Sequence, residues 1–145
     1  MSPLLIFIWI FIAMTAAAFW ESYAEGRNAW HKGKLGWKIK LGNSFILTAY
    51  HFYLFWIMWP ILLTLPFIIY GWNFKLFGVL VSAYFSGLVY QDIMWFIVNP
   101  VVNFSELNPK FANYYPWIKL GRFKVPLFYA VELFIAFLSW FFIWR

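Results

Sequence analysis

The sequence predicts an all-α fold, an integral membrane four-helix bundle with both termini on the non-cytoplasmic side. Three observations carry this expectation: the composition, the length of the apolar segments and the placement of the basic residues. Of the 145 residues, 65% are hydrophobic, 27% aromatic and only 11% charged, whereas soluble domains carry roughly 25% charged residues. That balance excludes an ordinary soluble fold. A single small bundle accounts for residues 1–145, and no Ser- or Gly-rich linker divides them, so one domain is expected. Cysteine is absent, which removes disulfides and thiolate metal sites.

A helix that crosses a bilayer needs about 20 mostly apolar residues, and four segments qualify. The first runs from Pro3 to Trp20, with helix continuing through Glu21 and Glu25 until Gly26. Its "AMTAAAFW" tail resembles a small-residue cleavage site, but no basic residues precede the apolar run, so a permanent helix is expected. The second runs from about Ser44 to Tyr70, and Pro60 and Pro66 should kink it or rearrange its hydrogen bonds locally. The third, Phe74 to Val98, is stopped by Asn99-Pro100. The fourth runs from about Val125 to Trp144, with Pro126 near its first turn, where proline is tolerated.

The net charge of +6 needs no nucleic-acid partner, because the basic residues lie in loops between apolar segments. One loop, Gly26 to Asn43, carries Arg27, Lys32, Lys34, Lys38 and Lys40; the other, Asn99 to Lys124, carries Lys110, Lys119, Arg122 and Lys124. With four spans these loops share a side. The opposite side has only Lys75, Arg145 and the amino terminus, so the positive-inside rule puts both loops in the cytoplasm of a cell-membrane protein. "AWHKGKLGWKIKLGN" and "NYYPWIKLGRFKVP" interleave aromatic residues with lysines, a mixture suited to the headgroup layer and to membrane lipids as partners. His31, among those lysines, reads as interfacial.

Counting depth at about 1.5 Å per residue locates a candidate site. His51, Asp92 and Glu132 each fall roughly 10 Å inside the cytoplasmic ends of their helices, and Glu21 and Glu25 occupy the matching end of the first. All these groups therefore share one layer. Even a lenient scale charges about 2.5–3.5 kcal/mol for a central Asp in a membrane, so such groups face the bundle interior and find partners. Glu21 and Glu25 share a helix face that Asn28 would continue; Asp92, Trp95 and Asn99 form another. Asn99 reads first as a terminator. Glu132 is flanked by Phe128, Tyr129, Ala136 and Ser139, while Gly78, Ser82 and Ser86 offer close packing on the third helix.

Three chemistries fit carboxylates and a histidine in this arrangement. Glu21, Glu25, His51 and Asp92 could ligate a divalent metal ion, although the Glu-x-x-His pair of bundle metal sites is missing. They could bind a proton or cation. They could also form a structural polar network, with Glu25 paired to Arg27 or a lysine. No Gly-rich phosphate loop, His-Glu-x-x-His, Ser nucleophile elbow or Cys nucleophile is present, so enzyme status stays open.

The combination of "WESYAEGRNAW", a helix with an inward histidine, and "QDIMWFIVNP" resembles small uncharacterised four-span membrane proteins with acidic-Trp-Phe and Asn-Pro patterns. "WESYAEG" is also similar to a segment of the sterol-isomerase-like EXPERA membrane family, in which acidic side chains and a tryptophan line a pocket for amphipathic amines and sterols. That resemblance implies that Glu21, Glu25, Asp92 and Trp95 line a lipid-accessible cavity.

The expected function is therefore a multi-pass protein whose Glu/His/Asp pocket, in the cytoplasmic leaflet, binds a cation, a proton or a lipid-like ligand. A membrane-embedded enzyme acting on a lipid-like substrate and an accessory subunit of a membrane complex are the alternatives. Four short helices leave little room for a transport pathway, so transport would require a homo-oligomer or a larger complex.

Overall fold

The computed structural model describes residues 2–33, 35–41 and 45–145. Lys34, Asn43 and Ser44, which enter the expected first loop and second helix, lie outside the described residues, as does the side chain of His31. Four helices are long and apolar enough to cross a membrane: α1 (Pro3–Glu25), α2 (Ala49–Tyr70), α3 (Phe74–Val98) and α4 (Leu127–Trp144). Two antiparallel hairpins complete the fold, β1 (Lys38–Leu41) with β2 (Phe45–Thr48), and β3 (Trp117–Leu120) with β4 (Phe123–Pro126).

These hairpins correct the all-α expectation and two helix starts. Phe45–Thr48 pairs in register with Lys38–Leu41, and Val125–Pro126 with Ile118 and Trp117, so α2 begins at Ala49 and α4 at Leu127. Apolar content alone does not separate a short buried strand from the first turn of a helix. The sequence favours strand through its Lys and β-branched alternation, "KIK" and "FKV". Gly121, with φ of 59°, lets the second hairpin turn. Thr48 then caps α2 by accepting the backbone N–H of His51.

Helix α3 is the central element, with 44% of its apolar window buried against 17%, 11% and 17% for α1, α2 and α4. Small residues permit this. Gly87 faces Met14 and Ile10 of α1, and Gly78 faces Ile143 and Trp144 of α4. Between α3 and α4 the Ser139 hydroxyl donates to the Gly78 carbonyl at 2.9 Å, and the Ser82 hydroxyl to the Ala136 carbonyl at 2.9 Å. The Trp144 indole closes the seam on Ser82 Oγ at 2.7 Å.

Helix α2 meets the others through large side chains, Trp59, Leu63 and Phe67, packed against a cluster that includes Met14, Leu80 and Tyr84. Its backbone is π-helical over Phe52–Met58, immediately before Pro60. The Trp59 N–H bonds back to the Leu54 carbonyl, and Pro60 has no N–H to offer. The Phe55 carbonyl is thereby left without a helical donor, and the Tyr84 hydroxyl of α3 supplies one. One proline thus reshapes α2 and ties it to α3 by a side-chain bond.

A Cβ at Gly78 would lie 2.5 Å from Ile143 Cγ2. Gly78→Ala is expected to lower stability by about 1–3 kcal/mol, the usual range for overpacking. Gly33→Ala, with open space around it, should stay within about 0.5 kcal/mol. Denaturant unfolding in detergent checks both, and equal effects would rule out the close seam.

Candidate functional site

The site lies at the hairpin end of the bundle, where the end of α1, the start of α2, the end of α3 and the start of α4 meet. Aromatic contacts join the two loop regions there: Trp30 stacks on Tyr114 with centroids 5.9 Å apart, and Phe45 meets Phe128 at 5.0 Å. Arg27 strengthens the junction with Nη2 to Glu106 Oε2 at 2.6 Å and Nη1 to the Val101 carbonyl at 2.5 Å. Arg27 therefore serves Glu106, whereas the structural-network alternative had Glu25 paired with Arg27 or a lysine. Glu106 also accepts the Asn103 backbone N–H at 3.0 Å, closing a capping box. Hydrogen bonding from the Arg27 guanidinium holds the exposed Glu106 carboxyl below its ordinary pKa.

Asp92 is held by two phenols from different elements. Tyr115, in the loop before β3, and Tyr129, in the first turn of α4, both donate to Oδ2, at 2.7 and 2.5 Å. Burial, with the Asp92 charge beside it, pushes the Tyr115 hydroxyl well above the ordinary tyrosine pKa, so it remains a proton donor. Asp92 also lines both cavities of this end.

The glutamates of α1 are satisfied separately. Gln91 donates its amide to Glu21 Oε2, and the Trp30 backbone N–H donates to Glu25 Oε1 at 3.0 Å. His51 stands between them, Nε2 lying 3.7 Å from Glu21 Oε1 and 3.8 Å from Glu25 Oε1. Both separations exceed hydrogen-bond length. The other ring nitrogen, Nδ1, is 2.6 Å from Thr48 Oγ1, which fixes the ring's orientation. Trp30 covers the imidazole with a centroid distance of 3.8 Å. Its backbone φ of 60° is costly for a bulky residue, and its indole bond to the Ile46 carbonyl, at 2.7 Å, helps to hold it there.

The expected site residues separate into groups. Glu21, Glu25, His51, Asp92 and Trp95 converge around a polar chamber of about 30 Å³. Glu132 faces a second, larger cavity that His51 and Asp92 also line. Asn99 is structural: its amide donates to the Gly26 carbonyl at 3.0 Å and its Oδ1 accepts from Val101 N at 2.9 Å. Asn28 is exposed, because α1 ends at Glu25 and Gly26, with φ of 56°, turns the chain away before the expected face can continue. Among the described residues no three His, Asp or Glu side chains are grouped so as to hold a metal ion. The tyrosine hydroxyls occupy one Asp92 oxygen.

Gln91, Thr48, Trp30 and Tyr115 are site residues that the sequence reading left out of the pocket. A glutamine beside an aspartate within an apolar helix is the one local signal among them; the others depend on chain folding that brings the loops over the helix ends.

The larger cavity has a volume of about 480 Å³ and lies between α2, α3 and α4, within the roughly 300–1,000 Å³ of small-molecule sites. Phe55, Leu63, Phe67, Leu80, Leu88 and Ile135 are representative of its apolar wall, and Asp92, Glu132 and His51 of its polar part. Trp30, His51, Phe55, Gln91, Asp92 and Tyr115 line both cavities. An apolar cavity thus adjoins a small acceptor-rich one. No family model matches the chain, and comparisons with curated proteins and with solved structures returned no match.

Removing either phenol leaves Asp92 with a single tyrosine donor. Tyr115→Phe and Tyr129→Phe should each cost about 1–3 kcal/mol, as for buried bonds to charged groups. Their double mutant should deviate from additivity by about 0.5–3 kcal/mol because they share one oxygen. Strict additivity in detergent unfolding would argue against a shared acceptor. Separately, NMR titration should place the Glu106 midpoint below that of an unfolded-chain glutamate. The Arg27–Glu106 contribution is then present above the unfolded midpoint and lost as pH falls through the folded one; an unshifted midpoint would contradict the pairing.

Proposed function

We propose that this chain is an integral cell-membrane protein that binds a lipid-like amphiphile between α2, α3 and α4, with its polar end toward Asp92, Glu132 and His51. The observation that carries this reading is an apolar cavity of this size beside an acceptor-rich chamber, with six residues lining both. A site for a free ion would need no apolar body of this size. A structural polar network alone would need no cavity at all.

The same reading orients the molecule. Lys38, Lys40, Lys119, Arg122 and Lys124 lie on the two hairpins and are exposed, which favours a cytoplasmic position for that end and an opposite position for both termini. Exposed Phe123 and Leu120 among those cations suit the headgroup region of anionic bilayer lipids. The polar end of the site then lies in the cytoplasmic leaflet. Exposed apolar side chains along α2, such as Trp56, Ile61 and Ile68, suit lipid tails, a second copy of the chain or another subunit.

Native mass spectrometry of the purified protein tests the binding reading. With 1-dodecanol, n-dodecyl methyl ether and n-dodecylammonium as probes, saturable one-to-one binding of at least one of them is expected. Ile135→Trp, which fills the cavity, should weaken it by about tenfold or more, a loss of about 1.4 kcal/mol. Equal retention by the wild type and the filled variant would show that the probes bind elsewhere.

A further inference from the structure

The polar chamber holds an unmatched donor. Trp95 is 4% exposed, and its buried indole Nε1 has no partner in full hydrogen-bond geometry, interacting only with the neighbouring Glu25 carboxylate. The indole lies beside Glu25 and lines the same chamber as Glu21, Glu25 and His51. An indole N–H can only donate, and leaving such a donor unpaired in an apolar interior costs about 1–3 kcal/mol. The chamber therefore asks for an acceptor opposite Trp95. Three carboxylates, Glu21, Glu25 and Asp92, are among its other polar walls; when ionised they accept and cannot donate, so a group that meets both the indole and a carboxylate must also carry a proton to give.

From these two requirements we infer that the chamber is a binding site for one hydroxyl oxygen, accepting from Trp95 Nε1–H and donating to the carboxylates of Glu21 or Glu25. Its volume of about 30 Å³ compares with the roughly 10–15 Å³ needed to seat one water. One or two oxygen-sized atoms fit, whereas a phosphate or a sugar does not. An ammonium donates but cannot accept from the indole; an ether accepts but cannot donate to a carboxylate; a carboxylate would face like charge. The oxygen comes either from water or from the end of the amphiphile, because the chamber adjoins the larger cavity, six residues lining both. The ligand source rests on the binding reading above and narrows it to an apolar molecule ending in a single alcohol.

Affinities of the same three dodecyl probes, measured side by side, test the inference. The alcohol is expected to bind about tenfold more tightly than the ether and the ammonium. Trp95→Phe, which keeps the ring and removes the N–H, should weaken the alcohol and the ether alike, because both accept from the indole, and leave the ammonium, which cannot accept, unaffected. If no probe binds the wild type, the cavity reading itself fails. If the ammonium binds best, or Trp95→Phe leaves alcohol and ether binding intact, the cavity reading survives and the hydroxyl site is overturned. The indole resonance assigned to Trp95 in nitrogen-15 NMR supplies a readout that needs no mutant affinity. A hydrogen-bonded resonance that moves on adding 1-dodecanol identifies the ligand as the source. A bonded resonance that does not move but is lost in a dehydrating detergent identifies water. An unbonded resonance in every condition, or one bonded to Glu25 irrespective of hydration and ligand, overturns the inference.

Discussion

The bond from two tyrosine hydroxyls to one oxygen of Asp92 is the constraint around which the hairpin end is organised. A carboxylate within an apolar helix must find donors inside the protein, and those that Asp92 Oδ2 meets come from outside α3. Tyr115 and Tyr129 therefore have to arrive from the second loop and from α4. Their arrival fixes where the loop crosses and where α4 begins. The neighbouring residue, Gln91, does the same for Glu21 of α1. Two consecutive polar residues on α3 thus locate α1, the second loop and α4 around one centre.

The cavity follows from how α2 is made. Its π-helical stretch and Pro60 disturb the backbone ladder, and α2 is held to the bundle by large side chains and by the Tyr84 bond to Phe55. By contrast, α1 and α4 meet α3 at glycines and serines. Small residues bring backbones close; large ones keep them apart. The bundle is therefore closed on two seams and open on the third, and the open seam ends at the acidic cluster. Trp30 completes the arrangement by covering His51, in a backbone conformation held by bonds to Glu25 and Ile46.

Much of this was legible in the sequence, and the parts that were not have identifiable causes. The four apolar helices could be read from length and hydropathy because each exceeds what a soluble helix ordinarily needs, and α3 was delimited by Asn99-Pro100 as a stop. The hairpins were hidden because four-residue strands are shorter than the windows in which apolar periodicity speaks. Within the candidate site, depth counting placed Glu21, Glu25, His51 and Asp92 in one layer, where they meet. Asn28 was misplaced because helical periodicity was extended past Gly26. The partner of Arg27, Glu106, comes from a loop 79 residues away, a pairing that nearness in sequence could not suggest. Tyr115 and Trp30 carry no local signature, since their roles arise only when the two loops fold over the helix ends.

The central claim is that convergent acids and an open helix seam make one graded space for an amphiphile. A density map of the protein in lipid nanodiscs, at a resolution that shows ordered side chains, tests it most directly. The account expects elongated density between α2, α3 and α4, ending beside Asp92 and Trp95, with Tyr115 and Tyr129 on the aspartate. Acids turned outward into lipid, or α2 packed against α4 with the space closed, would contradict it.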